Sequence, residues 1–598
     1  RKALSALLLA TLIAGCSTST LRSVDTASPV QHQARELEAS GDHASAARLY
    51  LNAASRATAG EAQQSLQLQA IASLIRGEDF ASARRLLGEM PPTLASNDLQ
   101  QHLNVNRAAL ALADQHPLEA LSLLDNVSAG GAYAADRHRL RAEAYLQEFR
   151  YYLSARERVL LAPLLTDPDA RLENEFAIWE TLNRLTDAEL QQLRTAPPPD
   201  PLSGWMELVE LSRLYLQQPD ALAEVTPHWQ QRYPGHPAIQ HFIPKLLESM
   251  SLAGQPPAHI ALILPLTGKL AEAAAAIRDG VLAAYYDTPD TSQQPRLRVF
   301  DSGHTPDSAL SAYQQAVLDG AQFVIGPLRK ESVQALATRI PLEVTVLGLN
   351  RIADRSLYNP DLYQFGLAPE DEAREVARLA WHSGHTRAIA LLPETQWGER
   401  VYTAFAEEWE MLGGSVAEVQ RYDAGKADHG PVLKDLLNLD ASKVRQQKLT
   451  QKLGRKLAFE PRRRQDVDFV FLAAAPRQAR LIRPQLDFYR ASDLPIYATS
   501  RVYSGKPDRN KDADMNGIVF CDTPWTLEQR ASWDHLQRGI SEFWPNNAIR
   551  YARLYALGID AYRVIPYLGE LNEGMFSAYH GVTGNLSLTD DGHLNRTL

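Results

Sequence analysis

At 598 residues the chain is too long for one hydrophobic core, and roughly two to four domains are expected. Its 45% hydrophobic and 22% charged residues are the composition of a globular protein, while a formal charge of −10 excludes a general nucleic-acid binder, whose phosphate contacts need a basic surface. With Cys16 and Cys521 as the only cysteines, a disulfide framework is excluded as well.

Arg1 and Lys2 are followed by an apolar run, residues 3–15, too short to cross a bilayer as a permanent helix. The run closes on Leu12-Ile13-Ala14-Gly15-Cys16, which resembles the lipobox of bacterial lipoproteins. That resemblance implies a signal peptide over 1–15 and acyl chains on the thiol and freed amine of Cys16. More than one chain gives stable anchoring. Ser17, in place of an aspartate, implies the outer membrane, facing the periplasm. An ordinary secretory signal with an incidental cysteine is the alternative. Residues 16–30 read as a lipidated flexible tether. Cys521 ends the apolar run Gly517-Ile518-Val519-Phe520 and is expected to be structural.

Residues 31–252 carry helical periodicity with an internal repeat. Aligning Asp42-HASAARLY, Asp79-FASARRLL, His116-PLEALSLL and the YYLSARERV after Arg150 places Ala46, Ala83, Ala120 and Ala155 about 35 to 37 residues apart. That period is close to the tetratricopeptide repeat, although the full consensus is absent. A tetratricopeptide-like helical domain is expected, with a concave partner-binding face. A non-repetitive bundle is the alternative.

A linker, 253–257, precedes a change of grammar. From Ala258, buried strand-like runs alternate with helices: Ile260–Leu264, Arg296–Phe300, Phe323–Ile325, Val344–Leu347, Ala388–Leu392, Asp468–Leu472, Pro495–Ala498 and Gly517–Phe520. The alternation predicts a doubly wound parallel α/β fold over 258–598, long enough for two lobes. Lobe one is expected from 258–370 and 506–575, and lobe two from 371–505 and the tail.

The segments Ile260-ALILPLTG, Phe323-VIGPLRKES, Val346-LGLN, Tyr363-QFGLAPEDEA and Asp493-LPIYATS, in that order, resemble the type I periplasmic binding proteins. The resemblance implies a bilobed domain whose cleft loops hold Thr267, Gly268, Gly326, Pro327, Arg329, Asn350 and Trp397. Bulky and charged residues in those loops depart from a small amino-acid pocket. An insertion from Ser442 to Asp466 is unlike those receptors. It carries Lys443, Arg445, Lys448, Lys452, Arg455, Lys456, Arg462, Arg463 and Arg464 against two acids, and reads as a solvated face or as a contact for an acidic partner or anionic polymer.

Lipobox, tetratricopeptide-like helices and a binding-protein-like domain together resemble the family of penicillin-binding protein activators, LpoA. The resemblance implies an outer-membrane lipoprotein anchored through Cys16. It also implies binding to a class A penicillin-binding protein of the 1A type, stimulating its transpeptidase, with peptidoglycan as a further contact. A solute-binding lipoprotein of an ABC transporter is the alternative. No catalytic constellation is legible: Leu270 stands where a P-loop needs a hydroxyl after Gly268-Lys269, and no G-x-S-x-G or H-E-x-x-H occurs. His382 and His385 lie at a helix end with Gly384 as its cap. A non-enzyme without metal or cofactor is expected.

Overall fold

The computed structural model describes residues 29–598 apart from 58–59, 92–93, 186, 216–218, 253–256, 288–293, 353–356, 358, 456–461, 529–532, 574–577 and 590. The signal peptide, Cys16, nearly all of the tether, and all of the linker but Pro257 lie outside the described residues. The chain divides into two compact units, one ending at Gln147 and the other beginning at Glu148. Among the described residues no helix is long and apolar enough to cross a membrane.

In the first unit the predicted repeat is a physical one. The helices His43–Arg56 and Phe80–Glu89 are capped by Asp42 and Asp79, whose carboxylates accept from the N–H groups of Ser45 and Ser82 at 3.0 and 3.1 Å. Each such cap is worth about 1 kcal/mol. Just before each helix the chain turns through a left-handed residue: Gly41, Glu78 and, in the third copy, Gln115. The next N–H then returns to the carbonyl five residues back, Asp42 to Leu37, Asp79 to Leu74 and His116 to Ala111, at 2.8 to 2.9 Å. This closes the preceding helix in a Schellman turn. Ala46, Ala83 and Ala120 are fully buried, where only a methyl fits between helices.

The second unit opens with the fourth copy, the left-handed Phe149 and the helix Tyr151–Leu161 with Ala155 buried. From there the alanine seam gives way to aromatic packing. Trp179, Trp205, Trp229, Tyr233 and Phe242 fill the core of the helices between Pro168 and Leu252. This substitution is why the repeat fades from the sequence after Ala155.

The α/β part contains thirteen strands among the described residues: β1 His259–Leu264, β2 Arg296–Asp301, β3 Phe323–Ile325, β4 Thr345–Gly348, β5 Leu362–Phe365, β6 Arg387–Pro393, β7 Ser415–Tyr422, β8 Phe469–Leu472, β9 Ile496–Ala498, β10 Ile518–Phe520, β11 Tyr579–His580, β12 Asn585–Leu588 and β13 His593–Thr597. They form an eight-stranded sheet in the order β11-β12-β13-β5-β4-β3-β1-β2 and a five-stranded sheet in the order β10-β9-β8-β6-β7. Helices flank both, so the central strands are apolar on both faces, and every residue of β1 is buried.

Two lobe assignments are corrected. The tail belongs to lobe one: β13 runs parallel to β5, pairing Leu594 with Phe365, and β12 and β11 extend that sheet antiparallel. Residues 518–520 belong to lobe two, because β10 pairs with β9. The tail adds three strands beyond β5 from far along the chain, whereas β10 is the edge strand beside the nearby β9. β7 was not expected as a strand. At an edge its side chains stay half-exposed, so it carries Glu418, Gln420 and Arg421 instead of an apolar run.

Lobe one closes around a tight helix crossing, Ala271–Tyr286 on Ala552–Arg563. A Cβ on Gly280 would meet the Tyr555 carbonyl oxygen at 2.2 Å, and one on Gly558 would meet that of Ile277 at 2.1 Å. Gly558→Ala is therefore expected to force the helices apart and lose about 1–3 kcal/mol in urea denaturation. Gly539→Ala is the control, since a methyl there meets nothing within 4 Å. In a helix it should be neutral or stabilising by up to about 1 kcal/mol.

Candidate functional site

The cleft loops follow from the strand ends that carry them. After β1, the loop holding Thr267 and Gly268 is fixed by Asp301 at the end of β2, whose carboxylate accepts from the N–H groups of Leu266 and Gly303 at 2.9 Å. Thr267 and Gly268 remain exposed. After β3, Gly326 has a φ of +105°, and a Cβ there would stand 2.1 Å from the Ile263 carbonyl oxygen. Glycine is required at 326 by sheet packing, independently of any ligand. Pro327 is buried with it, and its carbonyl accepts from Leu349 N–H.

The polar residues of this group are already engaged. Asn350 donates to the Leu328 carbonyl at 2.9 Å and accepts from Arg351 N–H at 3.0 Å, which ties the β4 loop to the β3 loop. Arg329 stands at the N-cap position of the helix Lys330–Arg339 without a side-chain cap bond, and its guanidinium lies 3.9 Å from Glu331. On the other lobe, Trp397 packs against the lobe-two core with the Arg501 guanidinium 4.6 Å above its ring. The structure thus joins Gly326, Pro327 and Asn350 into one backbone-linked cluster, holds Thr267 and Gly268 through Asp301, and places Trp397 on lobe two.

The densest chemistry lies where the chain crosses between lobes. Asp371 and Glu372, in the first turn of the helix Pro369–His382, are buried. Arg351, after β4, reaches Asp371 at 2.9 Å and the Leu594 carbonyl at 2.5 Å. Glu372 takes the Arg596 guanidinium of β13 at 3.3 Å on one oxygen and Ser500 N–H at 3.1 Å on the other. Arg596 is 0% exposed at its side chain and Glu372 6%. A third arginine, Arg553 of lobe one, grips Asp522 at 2.5 Å and the Ser500 carbonyl at 3.0 Å. Three lobe-one arginines therefore hold carboxylates on the lobe-two side of the crossings. The first-turn position also sets Asp371 and Glu372 at the positive end of the helix dipole.

Asp560, on the same helix as Arg553, fastens the tail. Its carboxylate accepts from Val582 N–H at 2.9 Å and Thr583 N–H at 2.7 Å, and the Arg596 guanidinium reaches the Thr583 carbonyl at 3.4 Å. Burial pushes Asp560 from its ordinary 3.8 to about 6, against the hydrogen bonds that favour the ion. Cys521 is half-buried, its thiol donates to the Glu372 carbonyl at 3.6 Å, and burial pushes its pKa well up, as befits an unreactive packing group.

The hinge residues are not legible as a group from the sequence, because Arg351 and Glu372 meet the tail, at Leu594 and Arg596, only across more than 200 residues of chain. The one local signal is Glu370-Asp371-Glu372, three acids at a helix start, of which two are buried. His382 packs against Phe149 of the helical part, ring centroids 3.8 Å apart and tilted by 40°, and burial lowers its pKa to about 4. His385 instead meets the Tyr497 hydroxyl at 3.3 Å, so the two histidines have separate partners.

The basic insertion is split by the fold. Arg463 is buried, donating to the Arg464 and Arg490 carbonyls and pairing with Asp493; Arg464 pairs with Asp466 at 2.9 Å. These two arginines seat the strand that follows. Arg445, Lys448 and Lys452 lie exposed on the helix Leu439–Leu453, with Arg455 just beyond it and Arg462 exposed nearer the strand. Lys456 and the Lys443 side chain lie outside the described residues.

Residues 41–598 match the family model described as "LppC putative lipoprotein". Among curated proteins, the penicillin-binding protein activator LpoA of Photobacterium profundum is 30% identical, covering 75% of this chain and 72% of that one. The LpoA of Edwardsiella ictaluri is 28% identical over 99% of this chain and 95% of its own. A crystal structure of full-length LpoA from Haemophilus influenzae is 22% identical, with a TM-score of 0.46, covering 92% of this chain and 95% of that one.

Two outcomes follow from the hinge chemistry. Arg596→Met strands the Glu372 carboxylate in a buried site and should cost about 3–5 kcal/mol in urea denaturation, most of it recovered in Arg596→Met/Glu372→Leu. For Asp560 the folded-state value lies above the unfolded one, so its stabilisation is complete below pH 3.8 and is lost as pH rises to about 6. A shift of that size corresponds to at most about 3 kcal/mol. In Asp560→Asn this pH dependence should flatten, with lower stability throughout, because the amide NH2 opposes a backbone N–H.

Proposed function

This chain belongs to the LppC lipoprotein family, and on that premise we propose that it binds and activates a class A penicillin-binding protein of the 1A type, raising its transpeptidase output and hence peptidoglycan cross-linking. It does so as a regulator, anchored in the outer membrane through acyl chains on Cys16 and facing the periplasm. The observation that carries this reading is the similarity, along nearly the whole chain, to proteins named as such activators.

The geometry of the second unit supports a rigid docking body over a hinge-bending solute receptor. Arg351, Arg553 and Arg596 hold the crossings by pairing with buried carboxylates, and the Arg596–Glu372 pair is buried on both sides. The helices of 148–252 also pack on both lobes. Phe149 packs against His382 of lobe two, while Trp179, Ser212 and Arg213 face Tyr567, Tyr579 and His580 of lobe one across a cavity of about 20 Å³. Opening the lobes would break one of these contacts. The polar atoms of Asn350 are spent on backbone, which leaves little for a small ligand.

In this reading the chain shifts the synthase toward a transpeptidase-competent state by binding that state more tightly, a coupling of about 1–3 kcal/mol. The test is cross-linking by a purified class A synthase with and without the unlipidated chain, residues 16–598 carrying Cys16→Ser. Several-fold faster cross-linking, with tighter binding to active than to penicillin-trapped synthase, is the expected result. Equal affinity for both, or no binding, overturns it.

A further inference from the structure

The helix Leu439–Leu453 exposes a surface with no ion-pair partner among the described residues. Arg445, Lys448, Leu449 and Lys452 follow at intervals of three, one and three residues, so they share one face. They lie beside Gln451 on a side of the helix that is open to solvent. Three large apolar side chains on this helix are open to solvent: Val444 at 46%, Leu449 at 51% and Leu453 at 53%. Between Ala441 and Phe459 the chain carries six Lys or Arg and no Asp or Glu, although the whole protein has a formal charge of −10. Among the described residues Arg445, Lys448, Lys452 and Arg455 enter no ion pair.

A solvated face accounts for the cations, whereas Leu449 and Leu453, one turn apart, set a paired apolar patch beside them. An anionic glycan would meet the cations and leave the leucines in water. Cations in a row with flanking leucines on one exposed helix match an anionic bilayer surface, which offers charge at the headgroups and apolar depth just beneath them. We propose that the helix Leu439–Leu453 is a foothold for anionic phospholipid, with Arg445, Lys448 and Lys452 at the headgroups and Leu449 and Leu453 inserted below. This site is independent of the activator reading and of the lipid on Cys16.

The helix then acts as a second, reversible membrane contact placed in lobe two. Its binding is electrostatic first, so it weakens with salt over the Debye length. Each basic residue near an anionic surface contributes about fivefold in affinity, which makes reversal of three charges a loss of roughly a hundredfold or more.

The test uses the unlipidated chain, residues 16–598 with Cys16→Ser, sedimented with vesicles of phosphatidylcholine alone or containing phosphatidylglycerol. Binding only to the phosphatidylglycerol vesicles is expected, falling at high salt. It should be lost in Arg445→Glu/Lys448→Glu/Lys452→Glu and reduced about tenfold in Leu449→Ser/Leu453→Ser, with unchanged thermal unfolding because all five side chains are at the surface. No binding to phosphatidylglycerol vesicles, or binding that the charge reversal leaves intact, overturns the proposal. So does a charge-reversed chain that still binds vesicles but no longer binds the synthase, which would assign the helix to an acidic protein surface. Synthase stimulation in neutral detergent reports separately on the activator reading and is expected to survive all these substitutions.

Discussion

The Glu372 carboxylate, held between the Arg596 guanidinium and the Ser500 N–H, is the contact on which the α/β part turns. It joins a helix of lobe two to the tail strand of lobe one and to the crossing segment after β9. Being buried, it is costly to form and costly to break. Removing either partner leaves a charge without water or counter-ion, whereas the intact pair fixes one arrangement of the lobes. Arg351 with Asp371 and Arg553 with Asp522 repeat that logic at the neighbouring crossings. A fold built to open around a solute would not be expected to tie three buried carboxylates across its pivot.

The surrounding structure takes its form from that constraint. Asp560 must sit in an apolar interior to collect the Val582 and Thr583 N–H groups, because the loop they belong to carries the tail into the lobe-one sheet. Only with the tail seated does Arg596 reach Glu372. The helices of 148–252 add contacts to both lobes, through Phe149 on one side and Trp179 on the other. These contacts make the inter-lobe region a structural support. The exposed cations of the helix Leu439–Leu453 stand apart from this economy, since the fold binds Arg463 and Arg464 tightly and leaves Arg445, Lys448 and Lys452 at the surface.

Local signals were legible where the physics is local. Asp42 and Asp79 cap helices because a carboxylate three residues from a serine N–H does so in any context, and Ala46, Ala83 and Ala120 repeat because a close helix pair admits only a methyl. β1 reads as a buried strand because both of its faces are covered. The candidate site was legible only in part. Gly326, Pro327 and Asn350 do come together, yet sequence spacing could not say that their polar groups are consumed by backbone. The basic insertion read as one run, while burial separates its last two arginines from its exposed helix.

By itself the sequence determined the alanine repeat, the change from helical to α/β grammar at residue 258, and the alternation of strands with helices after it. Each of these rests on interactions within about a turn or a strand of one another in the chain. Only the tertiary structure decided that the tail pairs with β5, that β10 joins lobe two, and that Glu372 meets Arg596. Edge strands and buried ion pairs are chosen by which distant segments reach the same place, and no local pattern encodes that choice.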